Sequence, residues 1–230
     1  MKTQTAESPA TVEKARERCI KKFLRYFKMG FKDEKYKDWE RQYKLDAHLS
    51  FFEALNREKY EDLLKKKEYM EIAMTAVKIE SRTNLLFSFE KMALRDALKS
   101  TEGAKLFATG LYDYVYGREE MKIRFERFAD AISQLPRKKT RVLTWPLVTV
   151  FGFIANPYEH IFLKPRVTQI AAEKYKFDFK YQSKPNWETY KSLLQFAAVI
   201  KKDTKGLYPK DFIDLQSFIW VMGSDEYPGN

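Results

Sequence analysis

The chain has 230 residues, of which 44 % are hydrophobic and 33 % charged, values that exclude a disordered chain and let one domain, or at most two, bury a core without covalent staples. Lysine and arginine number 43 against 32 aspartates and glutamates, a formal net charge of +11, so the long-range field favours polyanions, nucleic acid first. Surplus lysine that only keeps a protein soluble produces the same total.

In chain order, residues 1–8 read as a disordered tail. Ser8 as N-cap and Pro9 at the first helical position then open a helix whose Cys19, Ile20, Phe23, Leu24 and Phe27 form one buried stripe, ending near Gly30. Residues 33–56, dense in aromatics and charge, predict a short helix and another from about Leu45. A longer helix over residues 58–80 puts Tyr60, Leu63, Met70, Met74 and Val77 on its apolar face. Residues 85–99 are apolar around most of a helical circumference, which predicts a central helix. Ser100 restarts a helix that stops at Gly117, and another over 119–135 is closed by Pro136.

The segment from Thr144 to Thr168, TWPLVTVFGFIANPYEHIFLKPRVT, breaks the lysine-rich helical pattern with prolines, aromatics and β-branched residues. Leu147, Thr149, Phe151 and Phe153 alternate with Val148, Val150 and Gly152, a period of two that predicts a strand, and Asn156-Pro157 signals a turn into a second strand at 160–164. FDFKY at 177–181 alternates again, between a helix from Pro165 to about Tyr175 and two more over 187–202 and 209–222. The expected fold is mainly α, a compact multi-helix bundle with a small two- or three-stranded β element near residues 147–181. It forms a single domain over 9–230, a helical bundle to 135 and an α+β portion over 136–230.

Scarcity of glycine and proline, eight of each, favours helices. The single cysteine, Cys19, cannot form an internal disulfide and fits a reducing compartment. The N-terminal residues carry no apolar run of a secretory signal, and the longest apolar stretch, 142–155, falls short of the roughly 20 residues a spanning helix needs. These features predict a cytoplasmic protein with no membrane contact.

Phosphate contacts are sought where cations are dense. PRKKTR at 136–141 is a basic connector whose Arg137, Lys138, Lys139 and Arg141 are uncompensated by acids, and Lys28, Lys32 and Lys35 interleave with aromatics as a single-strand groove requires. Aromatics at helical spacing, Phe23 and Phe27 among them, more often serve a core. A protein partner would instead dock on the rings of Trp145, Phe151, Phe153, Tyr158 and Phe162.

Catalytic patterns are sparse. Arg41 and His48, separated by six residues, resemble the Arg-x(4–6)-His pair of the HEPN ribonuclease superfamily, in which arginine binds phosphate and histidine serves proton transfer. Asp178 and Lys180 would share a strand face, which resembles half of a metal-dependent restriction-type nuclease site; Glu159 is the plausible acidic partner, and a polar outer strand face is the plainer account. Asp211 and Asp214 suit the positive end of the last helix. One cysteine and two distant histidines cannot build a zinc site, and no cofactor or metal is expected.

Three stretches, SRTNLLFSFEKMALRDALKS from Ser81, the segment from Thr144 to Thr168, and PKDFIDLQSFIW from Pro209, resemble a family of uncharacterised bacterial proteins. The resemblance implies a bacterial origin and a shared fold, and supplies no catalytic residues. The expectation is therefore a non-catalytic nucleic-acid-associated protein binding phosphates through basic patches, with a protein-docking subunit as the alternative and a nuclease behind both.

Overall fold

In the computed structural model, which describes residues 8–136 and 142–228, the regular backbone is helical, and among the described residues there is no strand. The tail expected over 1–8 lies, Ser8 apart, outside the described residues. Helix α1 (Pro9–Tyr26) begins as its sequence dictates, with the Ser8 side chain accepting from the Thr11 amide and Pro9 in the first turn. Cys19 and Phe23 are buried on it, and Phe27 just beyond its end. After a 3-10 turn at Gly30–Lys32, helix α2 (Glu34–Tyr36) runs through a π-helical turn, Lys37–Arg41, into α3 (Gln42–Leu55). The π turn and the start of α3 carry three buried charged residues, Glu40, Arg41 and Lys44.

The long helix expected over 58–80 is two helices, α4 (Arg57–Lys65) and α5 (Tyr69–Ser81), because Lys67 takes a left-handed φ of 61° and closes α4. The break resets the helical phase. Ile72, Ala73, Ala76, Val77 and Ile79 face inward, while Met70 and Met74 end on the surface. Helix α6 (Ser88–Ala97) is not central either: Phe89 and Met92 are exposed, and the predicted all-round apolarity becomes an apolar surface. Helices α7 (Thr101–Tyr116), capped by Ser100 and ended at Gly117, and α8 (Met121–Gln134) agree with the sequence.

The β element near 147–181 is absent. Residues Trp145–Ala155 form helix α9, whose first turn holds Pro146 and whose N-cap Thr144 accepts from the Leu147 amide. Every residue of α9 is buried, so its side chains meet protein all round and the period of two carried no information about facing. The expected return strand at 160–164 and the FDFKY segment run without strand partners. Side-chain hydroxyls satisfy their backbone instead: Thr149 Oγ1 accepts from the Leu163 amide at 3.0 Å, Tyr190 Oη from Ile161 at 3.1 Å, Ser192 Oγ from Lys180 at 3.0 Å and Thr189 Oγ1 from Gln182 at 3.0 Å. The portion read as α+β is thus completed by helices α10 (Pro165–Lys174), α11 (Trp187–Asp203) and α12 (Phe212–Gly223).

The buried apolar residues join into one cluster reaching from Cys19 to Tyr227, so the first and last helices share a core. Helices α1, α10 and α12 pack mutually. Gly223 permits the approach of α12 to α10, since a Cβ there would stand 2.0 Å from the Val167 carbonyl oxygen. No helix of the described residues is long and apolar enough to cross a membrane.

Candidate functional site

Arg18, Lys21, Lys22 and Arg25 follow one another at helical spacing on α1 and share one face. Opposite them, α10 presents Ile170, Glu173 and Lys174, the residue run after α10 adds Lys176, and α12 adds Met222. Between these elements lies a cleft of about 760 Å³, lined by six cations and a single carboxylate. Ala15, Cys19, Ile170 and Met222 make the rest of its wall, and an apolar wall lowers the local dielectric and strengthens every charge interaction above it. Like charges at this density repel, which stabilises any anion placed among them.

Lys22 is the distinctive member. It is only 8 % exposed, and among the described residues its Nζ has no hydrogen-bond partner. Burial and then the neighbouring Lys174 charge lower its pKa. A buried ammonium without a partner is costly, and the cost is removed by an anion. Lys174 is held differently: its Nζ donates to the Met222 carbonyl at 2.9 Å, in the last turn of α12. Lys176 stands at φ 56°, the left-handed position that ends α10, with its amide on the Glu173 carbonyl and the Phe177 amide on that of Ala172. Glycine is the usual residue there. Burial pushes the Cys19 thiol up to about 11, so it stays protonated and is a poor nucleophile at neutral pH.

The sequence-read candidates fall elsewhere. Arg137, Lys138, Lys139 and Arg141 lie outside the described residues. Lys28, Lys32 and Lys35 are near the end of α1 and beyond it; Lys32 sits 3.9 Å from the centre of the exposed Tyr208 ring, and Lys35 sits 4.1 Å from that of Trp39. Of the proposed docking rings, Trp145, Phe151, Phe153 and Phe162 are buried in the core, and only Tyr158 is exposed, at 70 %. They make no common surface, because the segment that carries them is the innermost of the chain.

Arg41 and His48 do not converge. The Arg41 guanidinium donates to Asp211 at 2.6 and 2.9 Å and to Asp214 at 2.6 Å. Tyr36 donates to the same Asp214 oxygen at 2.5 Å, and the Ile213 and Asp214 amides donate to Asp211. Burial alone would lower the arginine's pKa; the hydrogen bonds and charges of the two aspartates outweigh it and raise it. This is a saturated structural lock between the π turn and the α12 N-terminus, with Lys44, Glu40, Ser217 and Tyr227 as a second bonded group beside it. His48 Nδ1 lies 2.9 Å from the Ile154 carbonyl and lines another cleft with Arg57, Arg118, Arg124 and Glu159. Asp178 and Lys180 pair with each other in the open, and Glu159 is held by Arg124. Asp178 and Glu159 thus have different partners and form no joint acidic site.

A further pocket of about 560 Å³ opens beside Phe87 and Phe89, which stack at 5.6 Å. Its Lys164 lies 3.4 Å from the centre of the Phe87 ring, donates to the Leu85 carbonyl at 2.9 Å and faces Glu90 at 3.8 Å. Burial lowers its pKa against the pull of Glu90. Its one carboxylate, Glu90, faces two cations, Lys164 and Arg166, a smaller excess than the six against one of the α1–α10 cleft.

Comparison of the chain with protein families, with characterised proteins and with solved structures finds no match to any of the three. Function must therefore be argued from the cleft itself. This cleft was not found from the sequence: the recurrence of basic residues at 18, 21, 22 and 25 on one helical face was the only local signal for four of its six cations. Lys174 and Lys176 lie some 150 residues away in sequence, and only the packing of α1 on α10 joins them.

Proposed function

We propose that the chain is a non-catalytic nucleic-acid-associated protein that holds phosphates in the α1–α10 cleft. The observation that carries this reading is the concentration there of six cations against one carboxylate, around a buried lysine with no partner among the described residues. Arg137, Lys138, Lys139 and Arg141, with Lys28, Lys32 and Lys35, are proposed as supplementary phosphate contacts. None of the residues lining the cleft is aromatic, so contact there is to phosphate and not to stacked bases, and binding is expected to be sequence-independent.

Titration of labelled single- and double-stranded oligonucleotides at several salt concentrations tests the proposal. With about four phosphates engaged on a single strand, log Kd rises with log salt with a slope of about 3. Replacing the exposed pair by R18E and R25E is expected to weaken binding by at least about tenfold at low salt. Absence of binding to either strand form at low salt would remove the proposal.

A second reading is favoured by the exposed rings of Phe87 and Phe89 with Met92 beside them: a subunit that docks another chain on this face. Sedimentation velocity over a wide concentration range tests the simplest occupant, a second copy, and a concentration-independent monomer removes that occupant.

A further inference from the structure

We infer that the α1–α10 cleft selects a terminal phosphate, the monoester at the end of a nucleic-acid strand, with Lys22 as its anchor. The inference rests on the proposed nucleic-acid reading and narrows it. Two observations carry it. The first is the burial of the Lys22 side chain, which lines the cleft wall with its Nζ lacking a partner among the described residues, so that a small movement of its stem brings the Nζ to a ligand in the cleft. An interior phosphodiester is flanked on both sides by chain, which hinders its descent past the rim cations Arg18, Lys21 and Arg25. A strand end is flanked on one side only.

The second observation is charge. A diester carries one negative charge, whereas a terminal monoester carries about −1.5 to −2 at neutral pH and three acceptor oxygens. An unpaired ammonium beside Lys174, Lys176 and Arg25 gains most from the more highly charged group, through charge-assisted hydrogen bonds.

The same monoester chemistry exists in free phosphates, so the experiment separates the sources. Oligonucleotides of one sequence, internally labelled and ending either in a 5′-phosphate or in a 5′-hydroxyl, are titrated by fluorescence anisotropy against the full chain and against K22M. Thermal melts of both proteins are recorded with and without inorganic pyrophosphate. The methionine keeps an unbranched stem and removes a buried charge, so K22M is expected to melt no lower than wild type. The expected result is binding about tenfold tighter to the phosphorylated end, a preference lost in K22M, whose affinities for the two ends become equal. Equal affinity for the two ends would overturn the inference and leave the nucleic-acid reading standing. Oligonucleotides that fail to bind, with pyrophosphate raising the melting temperature of wild type and not of K22M, would overturn the nucleic-acid reading and keep the monoester site for a free anion. Failure of both probes would overturn both. The comparison of the two ends on wild type needs no variant, so a K22M that fails to fold does not blunt it.

Discussion

His160 is wholly enclosed, with its ring centroid 4.3 Å from that of Tyr114, and among the described residues neither ring nitrogen has a hydrogen-bond partner. Burial, with the nearby Arg124 charge adding to it, lowers its pKa to about 3. A base whose folded pKa lies below its unfolded value near 6.5 binds its proton first in the unfolded chain, so stability is lost as pH falls below about 6.5 and the loss continues to about 3. Between pH 7 and 4.5 this one residue costs roughly 2 to 3 kcal/mol. His160→Leu is expected to keep most of its stability at pH 7 and to lose roughly 2 to 3 kcal/mol less than wild type over that interval, as read by urea denaturation at the two pH values; equal losses in the two proteins would contradict the enclosure described. Lys22 is a charged counterpart of His160, buried and unpartnered among the described residues, but it lines an open cleft and His160 does not. Arg41 shows the third outcome, a buried charge fully matched by Asp211 and Asp214, and for that reason it is structural.

At the level of elements, helices with one wet face were legible from sequence and helices without one were not. Ser8, Ser100, Pro136 and Pro165 mark boundaries that the structure keeps, because caps and prolines act through the local backbone. Helix α9 defeated the periodicity argument, since a segment buried on every side has no polar residues to reveal its phase, and only Thr144 and Pro146 at its start betray a helix. The break at Lys67 was hidden for the opposite reason: a lysine stands where glycine would have signalled the end of α4. Lys67 and Lys176 thus occupy the same left-handed position at two helix ends, one remote from the cleft and one on its wall. Replacing either by glycine relieves the strain, by up to about 1 kcal/mol. Chemical denaturation of Lys67→Gly and Lys176→Gly is expected to show similar gains, while only Lys176→Gly weakens oligonucleotide binding, by a few-fold. Unaltered binding in Lys176→Gly would show that this cation takes no part.

Across the whole molecule, the excess of cations was read correctly as a number and its location was not readable. The basic connector at 137–141 is conspicuous in sequence because its charges are adjacent, whereas the cleft draws its six cations from α1, α10 and the residues just after α10, with α12 supplying part of the wall. The aromatic surface expected around Trp145 shows the same limit, as tertiary burial took four of its five rings into the core. Helix α4, packed on α3, α5 and α7, carries exposed lysines of its own at 59 and 65 and is not in contact with the cleft elements α1, α10 and α12 in the main packing pattern. It supplies an internal control for where an anion binds. Lysine acetylation of the full chain with and without a saturating single-stranded oligonucleotide, read residue by residue by mass spectrometry, locates the contact directly. The account predicts protection of Lys21, Lys174 and Lys176 and none of Lys59 and Lys65; equal protection of all five, or protection of the α4 lysines alone, would contradict it.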